Sequence, residues 1–553
     1  MTNYGFIIDN RKCIGCHACT VACKAEHEVP IGVNRTWVKY IEKGEFPDTQ
    51  RAFHVMRCNH CADAPCVEAC PVTALFIRED GIVDFNWDRC IGCKACIQAC
   101  PYDALYIDPD SNTAAKCNYC AHRVDVGLEP SCVQVCPEHA IISGDMDDPE
   151  TEISKLLARE KVTVRKPEKA SPKLFYIDGD EAALTPEDAP PASDYMWSHQ
   201  GRGVGHHAPG GGHGNGADVT RGVIPLGRRP ERGRSRGGAP EPGGPEPTPE
   251  VRPESARRTY DEPSKGVHWG KEVPAYVWTK AIASGAVAIP FFALGLGVSV
   301  GAPALWAGAI TGMFFLIATG VLLIMDLDRP GRFHYVLLRP QWGSWLVKGA
   351  YIIMTYGMVL GLWILLKILN YAGVISTRVS TGIDYGFTWP LVVTAAATAV
   401  YTAFLFGQAK GRSFWQSTAL PLHMLVHAAA AGAAILYLES FFVAGLQPMR
   451  GILAVTLAIG LAAGLLVYWA ELAVEHPDRD AARAAQMIYK GRYKVLFWGI
   501  SVVLGSLIPL ILVGLGVAFS GSLLVAAAAV LALIGILVTE HAWVEAPQLI
   551  PLA

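Results

Sequence analysis

Long apolar stretches are confined to the second half of the chain and set its expected architecture. A helix that spans a membrane needs about 20 predominantly apolar residues. Eight stretches approach or reach this length, approximately at 276–300, 304–325, 345–369, 389–406, 420–438, 452–470, 495–519 and 523–538. Tryptophans lie near several of their ends, where amphipathic rings favour the membrane interface. The pattern predicts an all-α bundle of eight transmembrane helices.

The first 180 residues have a different pattern, with short alternating segments between cysteine-rich runs. Residues 74–77 and 81–85 alternate apolar and polar positions and predict small strands, whereas residues 152–157 predict a helix. The Cys-Ile-Gly-Cys run at 13–16 recurs at 90–93, which indicates two similar modules. Because so little apolar sequence cannot build a large core, we expect bound metal to supply much of the folding energy.

Between these halves the composition changes to glycine, proline, arginine and glutamate over roughly 190–265. This stretch has too few apolar residues to form a packed core, and it predicts a disordered linker. We therefore expect an iron-sulfur domain at 1–180, a Gly/Pro/Arg-rich linker at 181–270, a membrane domain at 271–545 and a tail at 546–553.

Composition supports this division and excludes one class of partner. With 553 residues and 51% hydrophobic content, the chain is too long and too apolar for one soluble domain. Its formal net charge of -3 gives no sign of the basic face that nucleic-acid binding requires. We expect no nucleic-acid partner.

All sixteen cysteines of the chain form four groups of four. The groups are Cys13, Cys16, Cys19 and Cys23; Cys58, Cys61, Cys66 and Cys70; Cys90, Cys93, Cys96 and Cys100; and Cys117, Cys120, Cys132 and Cys136. The first and third read C-x2-C-x2-C-x3-C, in which three thiolates bind one iron-sulfur cluster and the fourth binds another. Zinc would use isolated C-x2-C pairs and would not require a fourth cysteine three residues after the third in every group. Disulfides would require export, for which no signal peptide precedes Cys13. The spacing predicts four complete 4Fe-4S clusters with these sixteen cysteines as iron ligands.

With these motifs, residues 1–180 resemble the four-cluster electron-transfer subunit of the molybdopterin oxidoreductases, the family of dimethyl sulfoxide reductase, polysulfide reductase and formate dehydrogenase. The resemblance implies an α+β double ferredoxin-like fold in which the first cysteine group pairs with the fourth and the second with the third. The implied ligand sets are Cys13, Cys16, Cys19 and Cys136; Cys117, Cys120, Cys132 and Cys23; Cys58, Cys61, Cys66 and Cys100; and Cys90, Cys93, Cys96 and Cys70. It also implies a separate catalytic subunit that carries a molybdenum or tungsten pterin.

The loop after the second apolar stretch carries another resemblance. Residues 326–333 read DLDRPGRF, which is similar to the D-L-x-R-P-x-R-F signature of the NrfD-like membrane subunits of polysulfide reductase. That resemblance covers residues 270–545 and implies electron exchange with membrane quinone, either menaquinone or ubiquinone, without haem. A cytochrome b type subunit is the alternative, but His423 and His427 lie one turn apart on one predicted helix and cannot bind opposite faces of one haem iron.

Ionisable residues in membrane-spanning segments are costly and are therefore candidates for function. The quinone or proton-transfer candidates are Lys280, Asp326, Arg329, Arg332, His427, Glu471 and Glu545. Each also has a structural interpretation, since Lys280 and Lys367 could extend their ammonium groups to the interface. Acids at helix ends could simply face interfacial water.

Together these features predict an electron-transfer and membrane-anchor subunit of a quinone-linked molybdopterin oxidoreductase. Such a subunit is non-catalytic itself and relays electrons between the catalytic subunit and quinone. Two alternatives stay open: the equivalent subunit of a nickel-iron hydrogenase complex, and a redox-gated transporter. Lipid and quinone are the expected membrane partners, and the sequence is compatible with a higher oligomer.

Two features disagree about which side of the membrane holds the iron-sulfur domain. Basic residues concentrate after the second, fourth and sixth apolar stretches, which would place those loops in the cytoplasm and both termini outside. However, the clusters are assembled in the cytoplasm, and no export signal occurs at Met1. We therefore expect a multi-pass protein of the cytoplasmic membrane with its iron-sulfur domain on the cytoplasmic side.

Overall fold

A computed structural model describes residues 2–44, 47–186, 188–189, 256–261 and 265–552. They form two compact units, the first comprising Met1–Val67, Ala74–His268 and Pro551–Ala553, and the second Glu68–Thr73 and Trp269–Ile550. The first unit is a small mixed α/β structure and the second is helical, which confirms the predicted multidomain class.

The first unit contains eleven described strands and seven described helices. The strands are β1 (Tyr4–Asp9), β2 (Thr36–Lys43), β3 (Gln50–Arg57), β4 (Leu75–Ile77), β5 (Val83–Phe85), β6 (Tyr106–Asp108), β7 (Thr113–Ala115), β8 (Ile141–Asp145), β9 (Val162–Thr163), β10 (Leu174–Ile177) and β11 (Arg257–Tyr260). The helices are α1 (Ala18–Glu26), α2 (Pro65–Ala69), α3 (Ala95–Ala99), α4 (Ala121–Val124), α5 (Ser131–Gln134), α6 (Glu152–Arg159) and α7 (Glu181–Leu184).

Two of the predicted strands and the predicted helix are present. Strands β4 and β5 pair antiparallel, and β6 and β7 form an equivalent hairpin in the second module. Helix α6 begins where the Thr151 hydroxyl accepts a hydrogen bond from the Ser154 amide, which satisfies one of the free amides at its N-terminus. Local sequence patterns therefore determine these short elements.

A four-stranded sheet in the order β8-β1-β10-β9 joins the two ends of the first unit. Strand β1 pairs parallel with β10 and antiparallel with β8. The buried Tyr119 hydroxyl donates a hydrogen bond of 2.6 Å to the Gly5 carbonyl, which ties the second module to this sheet. Phe6, Ile8 and Leu174 bury apolar side chains in the same core as Cys19 and Cys132. The sheet thus holds both ends of the cysteine-rich region together.

Both ends of the predicted 181–270 linker are folded onto strand β2. Before the insertion, the Lys39 ammonium group donates a hydrogen bond of 3.0 Å to the Ala183 carbonyl in α7. After it, β11 pairs antiparallel with β2, and the Trp37 indole donates to Asp261 over 2.9 Å. The predicted linker therefore includes folded residues at both ends, because these contacts join segments far apart in sequence. The rest of the linker, which the sequence predicts to be disordered, lies outside the described residues.

The second unit contains eight described helices that are long and apolar enough to span a membrane, as predicted. Its helices are α8 (Glu272–Gly295), α9 (Ala302–Met325), α10 (Tyr335–Leu338), α11 (Trp345–Tyr371), α12 (Thr377–Gly407), α13 (Leu420–Glu439), α14 (Arg450–Ala473), α15 (Arg479–Tyr489), a π-helix at Leu496–Leu507 that continues as α16 (Ile508–Ala518), and α17 (Ser522–Glu545). Helices α10 and α15 are short connecting elements.

Helices α12 and α17 extend furthest beyond their predicted limits. Helix α12 begins at Thr377 instead of 389, and α17 continues to Glu545 instead of 538. Polar residues in these extensions are paired inside the bundle, since Asp384 bonds to Lys367 and Glu540 bonds to His427. The expected tail at 546–553 begins with a 3-10 helix at Ala546–Leu549. The Arg412 guanidinium donates to the Ile550 carbonyl over 2.7 Å, which holds this segment in place.

Small residues allow α8 and α13 to approach closely. A Cβ atom placed on Gly285 would lie 1.8 Å from the Ala428 carbonyl oxygen, and one on Gly432 would lie 2.2 Å from the Gly285 carbonyl carbon. Close backbone approach at small residues is typical of membrane helix pairs. It brings the Lys280 ammonium group of α8 to 3.7 Å from the Met424 sulfur of α13.

We expect Gly285→Ala to destabilise the membrane half, because the added methyl group would overlap the backbone of α13. The free energy of unfolding should fall by roughly 1–3 kcal/mol, as is typical of overpacking. Thermal denaturation of the detergent-solubilised protein measures this loss. Gly320→Ala is the matched control, since a Cβ at Gly320 meets nothing within 4 Å. Equal denaturation temperatures for the two variants would contradict this close packing of α8 on α13.

Candidate functional site

Among the described residues none of the sixteen cysteines forms a disulfide bond, and twelve of them are buried. Cys13, Cys93 and Cys136 are partly exposed, and Cys16 is exposed. One cavity is lined by Cys13, Cys16, Cys19 and Cys136, although Cys136 is more than a hundred residues from the other three in sequence. The fold therefore brings together the four cysteines that the family resemblance implied for one cluster.

Electrostatic neighbours among the remaining thiols follow the same arrangement. Cys23 interacts with Cys117, Cys120 and Cys132. Cys61 interacts with Cys58, Cys66 and Cys100. Cys70, Cys90 and Cys96 are buried, and the pairing of these three with Cys93 stays a prediction. Ligation of iron by all four sets also stays a prediction.

Burial of the thiols fits metal binding better than a set of free cysteines. Burial raises the pKa of the Cys19 thiol to about 12, an effect that nearby Arg57 opposes. Burial likewise raises the pKa of the Cys23 thiol, and neighbouring thiols add to the shift. Such thiols stay protonated at neutral pH unless a metal ion displaces the proton. The donor set is therefore suited to iron, which supplies the missing positive charge.

The two Cys-Ile-Gly-Cys turns have the same backbone conformation. Gly15 and Gly92 have φ angles of 69° and 71°, and the residues after each second cysteine, His17 and Lys94, both have φ of 60°. At Gly15 a Cβ atom would lie 2.4 Å from the Phe53 ring, so a side chain has no space there. These left-handed residues curl the chain so that successive sulfurs of a group converge.

Hydrogen bonds to sulfur surround the proposed ligands. The Arg57 guanidinium donates to the Cys132 sulfur over 3.1 Å and is itself buried. The backbone amide of Ala140 donates to the Cys136 sulfur over 3.2 Å, and that of Ala114 donates to the Cys90 sulfur over 3.4 Å. Such bonds and nearby charge set the reduction potential of an iron-sulfur cluster.

A buried cluster of histidine and glutamate side chains, the His/Glu cluster, lies among α13, α14 and α17. His423 Nδ1 lies 2.6 Å from Glu471 Oε2, and His427 Nδ1 lies 2.6 Å from Glu540 Oε1. His427 Nε2 lies 2.7 Å from the Tyr468 hydroxyl. All five side chains are buried, and they define the His/Glu cluster. Two predicted candidates, His427 and Glu471, thus belong to one hydrogen-bonded group that can hold and exchange protons.

Lys280 is also inside the bundle, so the alternative interpretation that it extends to the interface is wrong. The side chain is buried, and its ammonium group donates to the Ala399 carbonyl over 2.9 Å and to the Thr402 hydroxyl over 2.6 Å. Lys367 is likewise buried and forms a 2.8 Å ion pair with Asp384. Because it is buried among these partners, Lys280 stays a candidate for quinone binding or proton transfer.

The remaining four candidates lie at the end of α9, in the connection after it, or at the end of α17. Asp326 ends α9, and Arg329 and Arg332 are partly exposed in the short connection that follows. Glu545 lies in the last turn of α17 and pairs with His541 over 2.8 Å. The structure therefore supports a common site for His427 and Glu471, and a role for Asp326, Arg329, Arg332 and Glu545 stays a prediction.

Several residues of these sites were not among the selected candidates. Glu540 was interpreted as following the last helix, yet it lies within α17 and bonds to His427. Tyr468 and Trp543 carry ordinary membrane side chains, and only their bonds to His427 and Glu471 reveal a role. Arg57 belongs to no sequence motif that would have marked it. The carboxylate of Glu540 was the one sequence signal that could have been used.

His423 and His427 both project from α13 with ring centroids 4.2 Å apart. Because one helix carries both, they cannot bind opposite faces of a haem iron. The expectation that haem is absent stays a prediction that rests on this geometry.

Comparisons with known proteins match both halves of the chain. A family model described as "Polysulphide reductase, NrfD" matches residues 261–551, which is more than half of the chain. Two models described as "4Fe-4S dicluster domain" match residues 12–75 and 49–146. The front half therefore carries 4Fe-4S dicluster domains, and the apolar helices form a multi-pass membrane domain.

Curated relatives match about a third of this chain. It is 44% identical over 188 residues to a subunit of the tetrathionate reductase of Salmonella typhimurium, covering 33% of this chain and 75% of the relative. It is 45% identical over 188 residues to a polypeptide of the polysulfide reductase of Wolinella succinogenes, covering 33% and 97%. It is 34% identical over 224 residues to the arsenate respiratory reductase iron-sulfur subunit of a Shewanella species, covering 31% and 95%.

We expect Arg57→Met to lower the reduction potential of one cluster. The change removes a buried positive charge and a hydrogen bond to the Cys132 sulfur, both of which favour the reduced form. The midpoint should fall by on the order of tens of millivolts in a redox titration followed by electron paramagnetic resonance. Arg159→Met removes an arginine whose side chain is 72% exposed and serves as the control. Unchanged midpoints in Arg57→Met would exclude an electrostatic role for Arg57.

Proposed function

Because the chain belongs to the polysulphide reductase NrfD family and carries 4Fe-4S dicluster domains, we propose that it relays electrons between a separate catalytic subunit and membrane quinone. In this role it is both the electron-transfer subunit and the membrane anchor of a quinone-linked oxidoreductase. The observation that carries the proposal is that one polypeptide combines sixteen cysteines with the buried His/Glu cluster of the membrane half.

The catalytic partner is proposed from the relatives. They are named as subunits of reductases for tetrathionate, polysulfide and arsenate, so their catalytic activity is shared with other chains. The family resemblance assigns the chemistry of such substrates to a molybdenum or tungsten pterin. The proposed partner of this chain is a subunit that carries that cofactor.

Four 4Fe-4S clusters, bound by the sixteen cysteines in the sets given above, supply one-electron transfer when present. The protein contributes a dry environment for most of them, since twelve cysteines are buried. Around Cys16 the surface is different, because Cys16 itself is exposed and neighbouring Ile14 is 54% exposed. An exposed ligand beside an apolar side chain supports this end as the place where a partner exchanges electrons.

Proton transfer is proposed for the His/Glu cluster. Reduction of a quinone to a quinol consumes two electrons and two protons, and oxidation of the quinol releases them. His423 with Glu471 and His427 with Glu540 each form a short imidazole-carboxylate pair that can hold a proton at Nδ1. Lys280 is buried in the neighbouring helix and is the further candidate donor.

Two other functions can be separated from this one, the first by the metal content of the purified complex and the second by ion transport. A nickel-iron hydrogenase complex would use an equivalent subunit, and nickel would then copurify with the chain. A redox-gated transporter would carry ions without quinone turnover. Mass spectrometry of the natively purified complex identifies the partner and therefore the substrate class.

We expect Cys93→Ser to remove or convert one cluster and to reduce electron transfer to quinone sharply. The wild-type chain, purified anaerobically, should contain about 16 iron atoms, and the variant about 12 to 15. Iron analysis and donor-to-quinone turnover in the intact complex measure the two effects.

Asp88→Ser is the matched control for this test, because Asp88 is exposed just before the same cysteine group. It should leave both values unchanged. The proposal fails if the wild-type chain contains far less iron with zinc in its place, or if Cys93→Ser keeps full turnover and iron content.

We expect residues 190–255 to be protected from trypsin in right-side-out membrane vesicles and to be cut in inverted vesicles. The segment is rich in arginine, and the proposed cytoplasmic side hides it inside right-side-out vesicles. Immunoblotting of the fragments gives the result, and detergent-lysed vesicles control for intrinsic resistance. Cleavage in sealed right-side-out vesicles would instead support the orientation that the basic loops favour.

A further inference from the structure

The His/Glu cluster brings possible metal-ligand atoms of three side chains close together. The side chains of His423, His427 and Glu540 each offer one ligand atom, and these atoms lie within 4.8 Å of one another. All three residues are buried, with exposures of 1%, 2% and 2%. A pair of imidazoles and a carboxylate that converge in an apolar bundle form a compact donor set.

One nitrogen of His423 is bound outside this set and the other points into it. The Nδ1–H group donates to Glu471 Oε2 over 2.6 Å, and the same oxygen accepts a 3.0 Å bond from the Trp543 indole. His423 Nε2 is buried without a hydrogen-bond partner and lies 3.7 Å from Glu540 Oε1. A carboxylate behind a histidine, with the opposite nitrogen free, is the usual outer arrangement of a metal-binding histidine.

One tautomer of the second histidine, His427, gives it the same polarity. The Tyr468 hydroxyl donates to Thr539 Oγ1 over 3.4 Å, and the Thr539 hydroxyl donates to the Gly535 carbonyl over 2.9 Å. With the His427 ring protonated at Nε2, the Tyr468 oxygen accepts that hydrogen over 2.7 Å and Nδ1 carries a lone pair. His427 Nδ1 lies 2.6 Å from Glu540 Oε1, and either a proton or a metal ion can bring these two atoms together.

We propose that His423 Nε2, His427 Nδ1 and Glu540 Oε1 bind a divalent transition metal ion, with Zn²⁺ as the representative ligand. Two imidazole nitrogens and one carboxylate oxygen suit zinc, whereas magnesium and calcium prefer oxygen donors throughout. Three protein ligands leave the fourth tetrahedral position open. Ligand atoms of a tetrahedral zinc site lie about 3.4 Å apart, so small side-chain shifts would complete the site.

Charge supports an ion of this valence. Glu540 and Glu471 place two carboxylates in the interior of the bundle, where isolated charge is costly. With both histidines neutral, a divalent cation compensates both carboxylates, and the outward hydrogen bonds to Glu471 and Tyr468 stay intact. The inference goes beyond the electron relay and does not depend on it, but a metal ion and the proton proposed above at His427 Nδ1 are alternative occupants of the same position.

The test uses the full chain in detergent with its iron-sulfur clusters intact. The protein is equilibrated with Zn²⁺ and washed, and bound zinc is measured together with its X-ray absorption spectrum. We expect one zinc ion per chain with nitrogen or oxygen neighbours at about 2.0–2.1 Å. Zinc misplaced in a cysteine site would instead show sulfur at about 2.3 Å, so the spectrum separates the two locations.

Variants identify the ligands. His423→Gln and His427→Gln should lose the bound zinc, whereas Glu471→Gln, which removes only an outer partner, should weaken affinity by about 10- to 100-fold. His541→Gln is the matched control, because this histidine follows Glu540 on the same helix but pairs with Glu545. Iron content and size-exclusion profiles verify that each variant is folded.

The proposal is overturned if the washed wild-type chain retains no stoichiometric zinc or if its zinc is bound by sulfur. It is also overturned if folded His423→Gln or His427→Gln binds zinc as tightly as the wild type. In either case the cation between His427 and Glu540 is a proton. If neither histidine variant folds, the wild-type spectrum and Glu471→Gln decide the result.

Discussion

Pairing of buried carboxylates with imidazoles is the constraint that shapes the membrane half. A carboxylate among apolar helices is stable only with a partner, because no water compensates its charge. Glu471 on α14 and Glu540 on α17 both find that partner on α13, one at His423 and the other at His427. Three helices are therefore fixed relative to one another by the same side chains that can exchange protons. Structure and chemistry depend here on the same bonds.

The front half has a different interior, in which many sulfurs are buried beside large side chains such as Phe6, Tyr119 and Tyr176. Its four-stranded sheet packs against cysteine side chains, since Cys19 and Cys132 lie in the same core as Phe6 and Ile8. Arg57 is buried in contact with Cys132, and its guanidinium also lies over the Phe6 ring. A buried cation is tolerable there only if negative charge accompanies it. Thiolate ligands of iron clusters would provide that charge, so the cofactor completes the electrostatics of this core.

The sequence predicted what depends on composition and local spacing, and it missed what depends on distant pairs. Eight spanning helices followed from apolar length alone, and cysteine spacing identified the candidate ligands. The start of α12 was missed because Asp384 resembles a loop residue until its partner Lys367, on another helix, is known. The pairing of β1 with β10 joins residues such as Phe6 and Leu174, and no local pattern records that register. Arg57 likewise contacts a sulfur 75 residues away.

Long-range contacts also determine which segment of the chain connects its two halves. Strand β2 holds the chain on both sides of the Gly/Pro-rich insertion, through Lys39 at α7 and through pairing with β11. Because both anchors belong to the first unit, the insertion does not separate the two units along the chain. The connection that does so runs only from Tyr260 to Glu272, where β11 ends and α8 begins. The effective concentration of one half beside the other is set by that short segment. The length of the insertion therefore does not set this concentration.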